Sequence, residues 1–181
     1  QPVERKENIR ELVTDMVTEI TAGREKSHIL IRNVLEKYSY LPGHDRSFIK
    51  KVTEGTLERL VTIDYVLNSF AKVPVNKMKP FIRSLMRMSV YQILYLDKVP
   101  DSAVCNEAVK LAAKRGFGPL KGFVNGVLRN IARNKEAIEY PDREKDAIEA
   151  LSVIYSMPKP LVSYFLSQYG EEQTEIVLKG S

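Results

Sequence analysis

The chain reads as all-α, a helical bundle followed by a short helical connector, and three observations lead there. Apolar residues recur with the 3.6-residue period of a helix along most of its length. The joints between periodic segments carry helix-ending chemistry, at Leu41-Pro42-Gly43, at Val99-Pro100 and at Gly116-Phe117-Gly118-Pro119. After about residue 136 the composition turns acidic and the periodic pieces become short.

Residues 4 to 22 place Ile9, Leu12, Val13, Met16, Val17 and Ile20 on one stripe, and Ala22-Gly23 ends that helix. Arg5, Lys6 and Arg10 crowd its first turns, where positive charge opposes the helix dipole, so helix stability does not explain them. A second helix is expected from Arg24 to Tyr38, with Ile29, Leu30, Val34 and Leu35 apolar. A third is expected to run unbroken from Asp45 to Phe70, long and central, with Phe48, Ile49, Val52, Leu57, Ile63, Val66 and Leu67 on its stripe. Gly55 inside it costs about 1 kcal/mol relative to alanine, which a close helix crossing at that point would explain. Arg46 and Arg59 are expected either to pair with carboxylates or to meet RNA, and the structural role is the first choice.

Residues 81 to 133 hold three more helices. Leu85, Met88, Ile93 and Leu96 give the first a buried stripe, and Pro100 stops it. Asp101 or Ser102 is expected to offer a side-chain oxygen to the free amides of the next helix, which carries Val104, Ala108, Leu111 and Ala112 inward. In the last, Val124, Val127, Leu128 and Ile131 face one way, while Lys121, Asn125, Arg129 and Arg133 recur every four residues on another side. Beyond it lie pieces near Asp146 to Tyr155, Lys159 to Tyr169 and Glu171 to Lys179, separated by Ser156-Met157-Pro158 and by Gly170. The division expected is therefore 1–138 for the bundle and 139–181 for the connector.

Charge is distributed unevenly. The net value is +5, yet residues 76–135 hold twelve Lys and Arg against three Asp and Glu, a net +9, whereas residues 136–181 hold four against nine, a net −5. A +9 block inside a folded region suits a polyanionic partner, and the plainer alternative is a solvated charged face. Among 181 residues the single cysteine, Cys105, excludes an internal disulfide and fits a reducing compartment. With no apolar run long enough to span a membrane and no signal-peptide pattern, a cytoplasmic location is expected. The start at Gln1 and the end at Gly180-Ser181 fit a piece of a longer protein.

NEAVKLAA, a glycine-bearing joint and FVNGVLRNIAR together resemble the signature of the NusB-type all-helical domain. His44-Asp45-Arg46-Ser47-Phe48, Gly55-Thr56-Leu57 and Leu94 through Pro100 resemble its earlier motifs, so the likeness covers roughly residues 5 to 134. It implies RNA binding, with the early basic helix taking part, and hence that role for Arg5, Lys6 and Arg10 beside the Lys121, Arg129 and Arg133 face. The stretch SMPKPLVSYFLSQYGEEQTEIVL resembles the connector that follows this domain in bacterial small-subunit (16S) ribosomal RNA cytosine-C5 methyltransferases. That likeness implies ribosomal RNA and the protein's own C-terminal methyltransferase domain as partners, with S-adenosylmethionine as cofactor of the full-length enzyme and none in this chain. The alternative is a stand-alone NusB-type antitermination factor that binds RNA and a ribosomal protein.

Catalytic chemistry is not expected within these residues. Cys105 lies on a helix between Val104 and Asn106 and reads as a small buried side chain rather than a reactive thiol. Gly116-Phe117-Gly118 lacks the preceding strand and third glycine of a nucleotide-binding turn. His28 and His44 have no ligand partners at metal spacing, so no metal is expected. Asn106 and Asn125 read as hydrogen bonders at helix crossings, since a buried amide left unpaired costs roughly 1–3 kcal/mol.

Overall fold

The computed structural model describes residues 7–180. The described residues form α1 (Ile9–Thr21), α2 (Ser27–Lys37), α3 (Gly43–Glu58), α4 (Leu60–Phe70), α5 (Pro80–Tyr95), α6 (Asp101–Lys114), α7 (Lys121–Asn134), α8 (Ala147–Tyr155) and α9 (Lys159–Lys179). There is no strand among them, and no helix is long and apolar enough to cross a membrane.

The bundle is built around α5 rather than around the 45–70 segment. Phe81, Ile82, Leu85, Met86, Met88, Val90, Tyr91 and Ile93 are all buried, so α5 is enclosed on nearly every side, packing against α1, α3, α4, α6 and α7. A helix apolar all round belongs in the interior, whereas α3 and α4 keep polar outer faces. Gly55 sits where the crossing is tightest: a Cβ there would lie 2.1 Å from the Tyr91 ring, so only glycine lets α3 approach α5.

Three expectations need correction. The 45–70 segment is two helices, broken at Arg59 (φ −101°, ψ 17°), with no proline or glycine at the break. The cause is tertiary: the Ser156 hydroxyl, almost a hundred residues away, accepts the Val61 amide at 3.1 Å and the Thr62 amide at 3.5 Å, capping the start of α4 from another part of the chain. At α6 no side chain caps the N-terminus, and Asp101 instead accepts from Lys135, just past the C-terminal end of α7, at 3.0 Å. In α1 the helix begins only at Ile9, with the Asn8 side chain accepting the Glu11 amide at 3.0 Å.

Other joints follow the sequence closely. Gly116 takes φ +87° after α6, a left-handed position that favours glycine. Gly170 (φ 76°, ψ 173°) interrupts α9, and the kink brings Leu178 of its second arm into one cluster with Val162 of the first and Leu151 of α8. The α8–α9 unit lies against α4. The Thr62 hydroxyl donates to the Val153 carbonyl, the Tyr65 hydroxyl donates to the Glu139 carbonyl at 2.8 Å, and the Tyr65 and Tyr140 rings stack 6.2 Å apart.

Candidate nucleic-acid interface

The outer side of α7 arises from a four-residue repeat. With Val124, Val127, Leu128 and Ile131 buried against the bundle, Lys121, Asn125, Arg129 and Arg133 are left on the other side, Lys121 and Arg133 exposed and Arg129 half-buried. Arg129 is held by two amides: its Nε donates to Asn125 Oδ1 at 2.7 Å and its Nη2 to Asn106 Oδ1 at 2.8 Å. Neither partner carries charge, so the guanidinium is fixed in direction while its +1 stays whole. Both carboxamide oxygens being committed, the Nδ2 groups of Asn106 and Asn125 are left as donors. The result is a donor-rich, cationic patch suited to phosphate oxygens.

Lining up beside it is a ridge that the reading from sequence did not assign. Asn106, Lys110 and Lys114 recur every four residues along α6, the same spacing as on α7, and the Asn106–Arg129 bond sets the two ridges side by side. That repeat was visible in the sequence; the pairing of α6 with α7 was not. Lys114 donates to Glu11 at 2.6 Å, and Arg115 pairs with Asp15 at 2.9 Å while lying over the Phe81 ring at 4.2 Å, so α1 closes the other flank. The Asp15 carboxylate raises the pKa of Arg115. Burial alone would raise that of Glu11, but its contacts with Lys114 and Arg115 outweigh burial and hold it below the usual range.

Arg10 has another job. Its Nε donates to Gln92, wholly buried in α5, at 3.1 Å, and its guanidinium lies 5.2 Å from the centre of the Phe48 ring. Burial lowers its pKa, with Glu107 pulling the other way. Arg10 thus ties α1 to α3 and α5, and only part of it is turned to solvent. Arg5 and Lys6 lie outside the described residues. Arg46 and Arg59 have no carboxylate partner among the described residues: Arg46 donates to the Leu35 carbonyl at 3.3 Å, and Arg59 lies over the Tyr95 ring at 5.3 Å.

Cys105 is buried, and burial pushes its thiol pKa up, the reverse of what a nucleophile needs. It forms part of the wall of a cleft of about 230 Å³ with Asp101, Ser102, Arg129, Ala132 and Arg133. No group of three or more metal-ligating side chains occurs among the described residues.

Residues 7–133 match the model of the NusB family, and the chain belongs to that family. Among curated relatives, it is 33% identical over 175 residues to the probable ribosomal RNA small subunit methyltransferase B of Bacillus subtilis, covering 97% of this chain and 38% of that protein. It is 33% identical over 91 residues to the transcription antitermination protein NusB of Thermodesulfovibrio yellowstonii, covering 50% of this chain and 60% of that one. Among solved structures, a crystal structure of the antitermination factors NusB and NusE in complex with double-stranded RNA superposes with a TM-score of 0.62, at 19% identity, over 69% of this chain and 93% of that one. The chain thus spans well under half the length of the methyltransferase relative.

Proposed function

We propose that this chain is the RNA-binding, targeting part of an S-adenosylmethionine-dependent small-subunit (16S) ribosomal RNA cytosine-C5 methyltransferase, working in the cytoplasm. One observation carries the choice of enzyme: the likeness to the methyltransferase relative runs through 97% of the chain, so it includes α8 and α9, whereas the family match ends at residue 133. The polyanion partner rests on the paired α6 and α7 ridges, with Lys121, Arg129 and Arg133 as the principal contacts, Lys110 and Lys114 beside them, Arg10 at the start of α1, and Arg5 and Lys6 as further candidates. Ridges of cations and amide donors position RNA through its phosphates, and base identity is left to other contacts.

These residues do not fit the cofactor. Among the described residues there is no strand, and so no strand-to-helix glycine turn to cradle a nucleotide-like ligand. S-adenosylmethionine is assigned to a methyltransferase domain beyond the connector, which is this chain's partner within the same protein. The coding sequence past Ser181 tests this directly: a cofactor-binding domain there supports the enzyme, and a stop codon supports the antitermination factor that the second relative suggests.

RNA binding itself is tested by gel shifts at two salt concentrations. Arg129→Glu with Arg133→Glu is expected to weaken binding of a helical ribosomal RNA fragment and to flatten the salt dependence by about one unit of slope per lost phosphate contact. Unchanged affinity and slope in a folded double variant would remove this face from the RNA surface.

A further inference from the structure

A second cationic site lies at the other end of the α1–α5 pair. The two helices run antiparallel, with Arg10 bonded to Gln92 at one end and Thr18 bonded to Ser84 (2.8 Å) toward the other. Beyond that second contact two clefts open side by side. One, of about 650 Å³, is lined by residues of α4, the 75–77 turn and α5, among them Asp64, Asn68, Lys72 and Asn76. Its neighbour, of about 310 Å³, reaches Thr18, Thr21 and Arg24 at the end of α1. Arg83 and Arg87, one turn apart on α5, form part of the wall of both.

Charge bookkeeping in the clefts leaves a surplus. Arg87 is engaged by Asp64 through two hydrogen bonds of 2.8 and 2.7 Å, and Arg24 is engaged by Glu19 at 3.0 Å. Lys72 and Arg83 have no carboxylate partner among the described residues. Arg83 is nevertheless fixed: its Nε donates to the Val75 carbonyl at 2.9 Å, and its Nη2 donates to those of Asn76 at 3.2 Å and Met78 at 2.9 Å. Carbonyl dipoles orient the guanidinium without neutralising it, and Nη1 has no acceptor among the described residues. An oriented, uncompensated guanidinium loses little freedom when it meets an oxyanion. The surplus sits on two separate side chains, Lys72 and Arg83, that line one open cleft, an arrangement that suits a repeating polyanion better than a single small anion.

We infer that this double cleft, walled by Arg83 and Arg87 and opened by Lys72 and Asn76, is a second seat for the phosphodiester backbone of the bound RNA. The inference rests on the RNA-binding reading and extends it. The seat lies roughly 16 Å along α1 from Arg10, the rise of the eleven residues to Thr21, so an RNA engaging both ends must pass along the bundle rather than touch it at one patch.

Gel shifts of the full chain with a helical fragment of small-subunit ribosomal RNA test it. Lys72 and Asn76 are exposed and their side chains make no hydrogen bond among the described residues, so Lys72→Glu with Asn76→Asp is expected to fold as the parent does, as checked by thermal melting. It is expected to bind about tenfold more weakly, with a salt slope shallower by about one, while Lys72→Arg keeps both parental values. Parental affinity and slope in the folded double variant, beside weakened binding by Arg133→Glu, would overturn the second seat alone. If the parent fails to retard the RNA at all, this inference and the RNA-binding reading fall together.

Discussion

Residues 7–138 and 139–180 are both helical, yet they hold together by different means. The first region buries one continuous cluster, running from Val13 through the enclosed α5 to Ile131. The second centres on Leu151, Val162 and Leu178 and keeps Tyr164, Tyr169, Ile176 and Val177 exposed. A core that small cannot offset the conformational entropy of more than thirty ordered residues. The connector therefore derives its order from α4, through the Ser156 cap, the Thr62–Val153 bond and the Tyr65–Tyr140 stack. Dependence runs in both directions, because α4 lacks a cap of its own and takes one from the connector. A tail attached in this way holds a fixed orientation on the bundle, which is what the targeting role proposed above would require of it.

Equal insults to the two regions should have unequal effects. Leu128 and Leu151 are each wholly buried. Leu128→Asp puts an unpaired carboxylate into the main core at a cost of several kcal/mol, against a total stability of roughly 5–15 kcal/mol, and is expected to abolish cooperative melting. Leu151→Asp is expected to leave the main transition in place while hydrogen-exchange protection is lost across 147–179. A single shared collapse in the second variant would show that the two regions form one cooperative unit.

Local chemistry was legible where a residue decides its own conformation. Gly116 and Gly170, the α7 stripe and the close approach at Gly55 all follow from periodicity or from the absence of a Cβ, and each stands where the sequence puts it. Long-range partners left no such trace. Nothing in Thr-Leu-Glu-Arg-Leu announces a helix break, because the group that fixes it is Ser156, and nothing near Asp101 shows that its carboxylate turns to Lys135 instead of the helix start. The candidate interface divides the same way. The α7 face could be read from a four-residue repeat, but the partnership of Arg129 with Asn106, and with it the α6 ridge, required the packing of two helices.

The Ser156 cap is the point at which the two regions can be uncoupled gently. Ser156→Ala keeps the residue's left-handed backbone (φ 55°) and removes only the hydroxyl, so the expected loss is about 1 kcal/mol. Protection of the Val61 and Thr62 amides should fall together with that of 147–155, while the α5 and α7 amides stay unchanged. If α7 loses protection as well, the cap supports the whole bundle rather than one joint.

The smallest effect expected is electrostatic and belongs to the connector alone. Glu175 accepts from Arg143 at 2.9 Å and from the Tyr155 hydroxyl at 2.8 Å, with Lys179 at 3.7 Å. These partners, Arg143 first and then Tyr155, hold its carboxyl at about 2, below the 4.5 of an unconstrained glutamate. A carboxylate whose pKa is depressed by folding binds fewer protons in the native state than in the unfolded one at intermediate pH. Its stabilising contribution is accordingly complete above about pH 4.5 and is lost as pH falls from there through about 2. Because the pair lies at the surface, salt should screen it. Hydrogen-exchange protection of 147–179 is thus expected to fall between about pH 4.5 and about pH 2, more steeply in the parent than in Glu175→Gln, with the two curves converging in high salt. The main bundle serves as the internal reference, since the hydrogen bonds and ion pairs of Glu175 among the described residues all lie within the connector. Parallel acid profiles for parent and Glu175→Gln would show that the Arg143–Glu175–Tyr155 contact does not help hold the connector together.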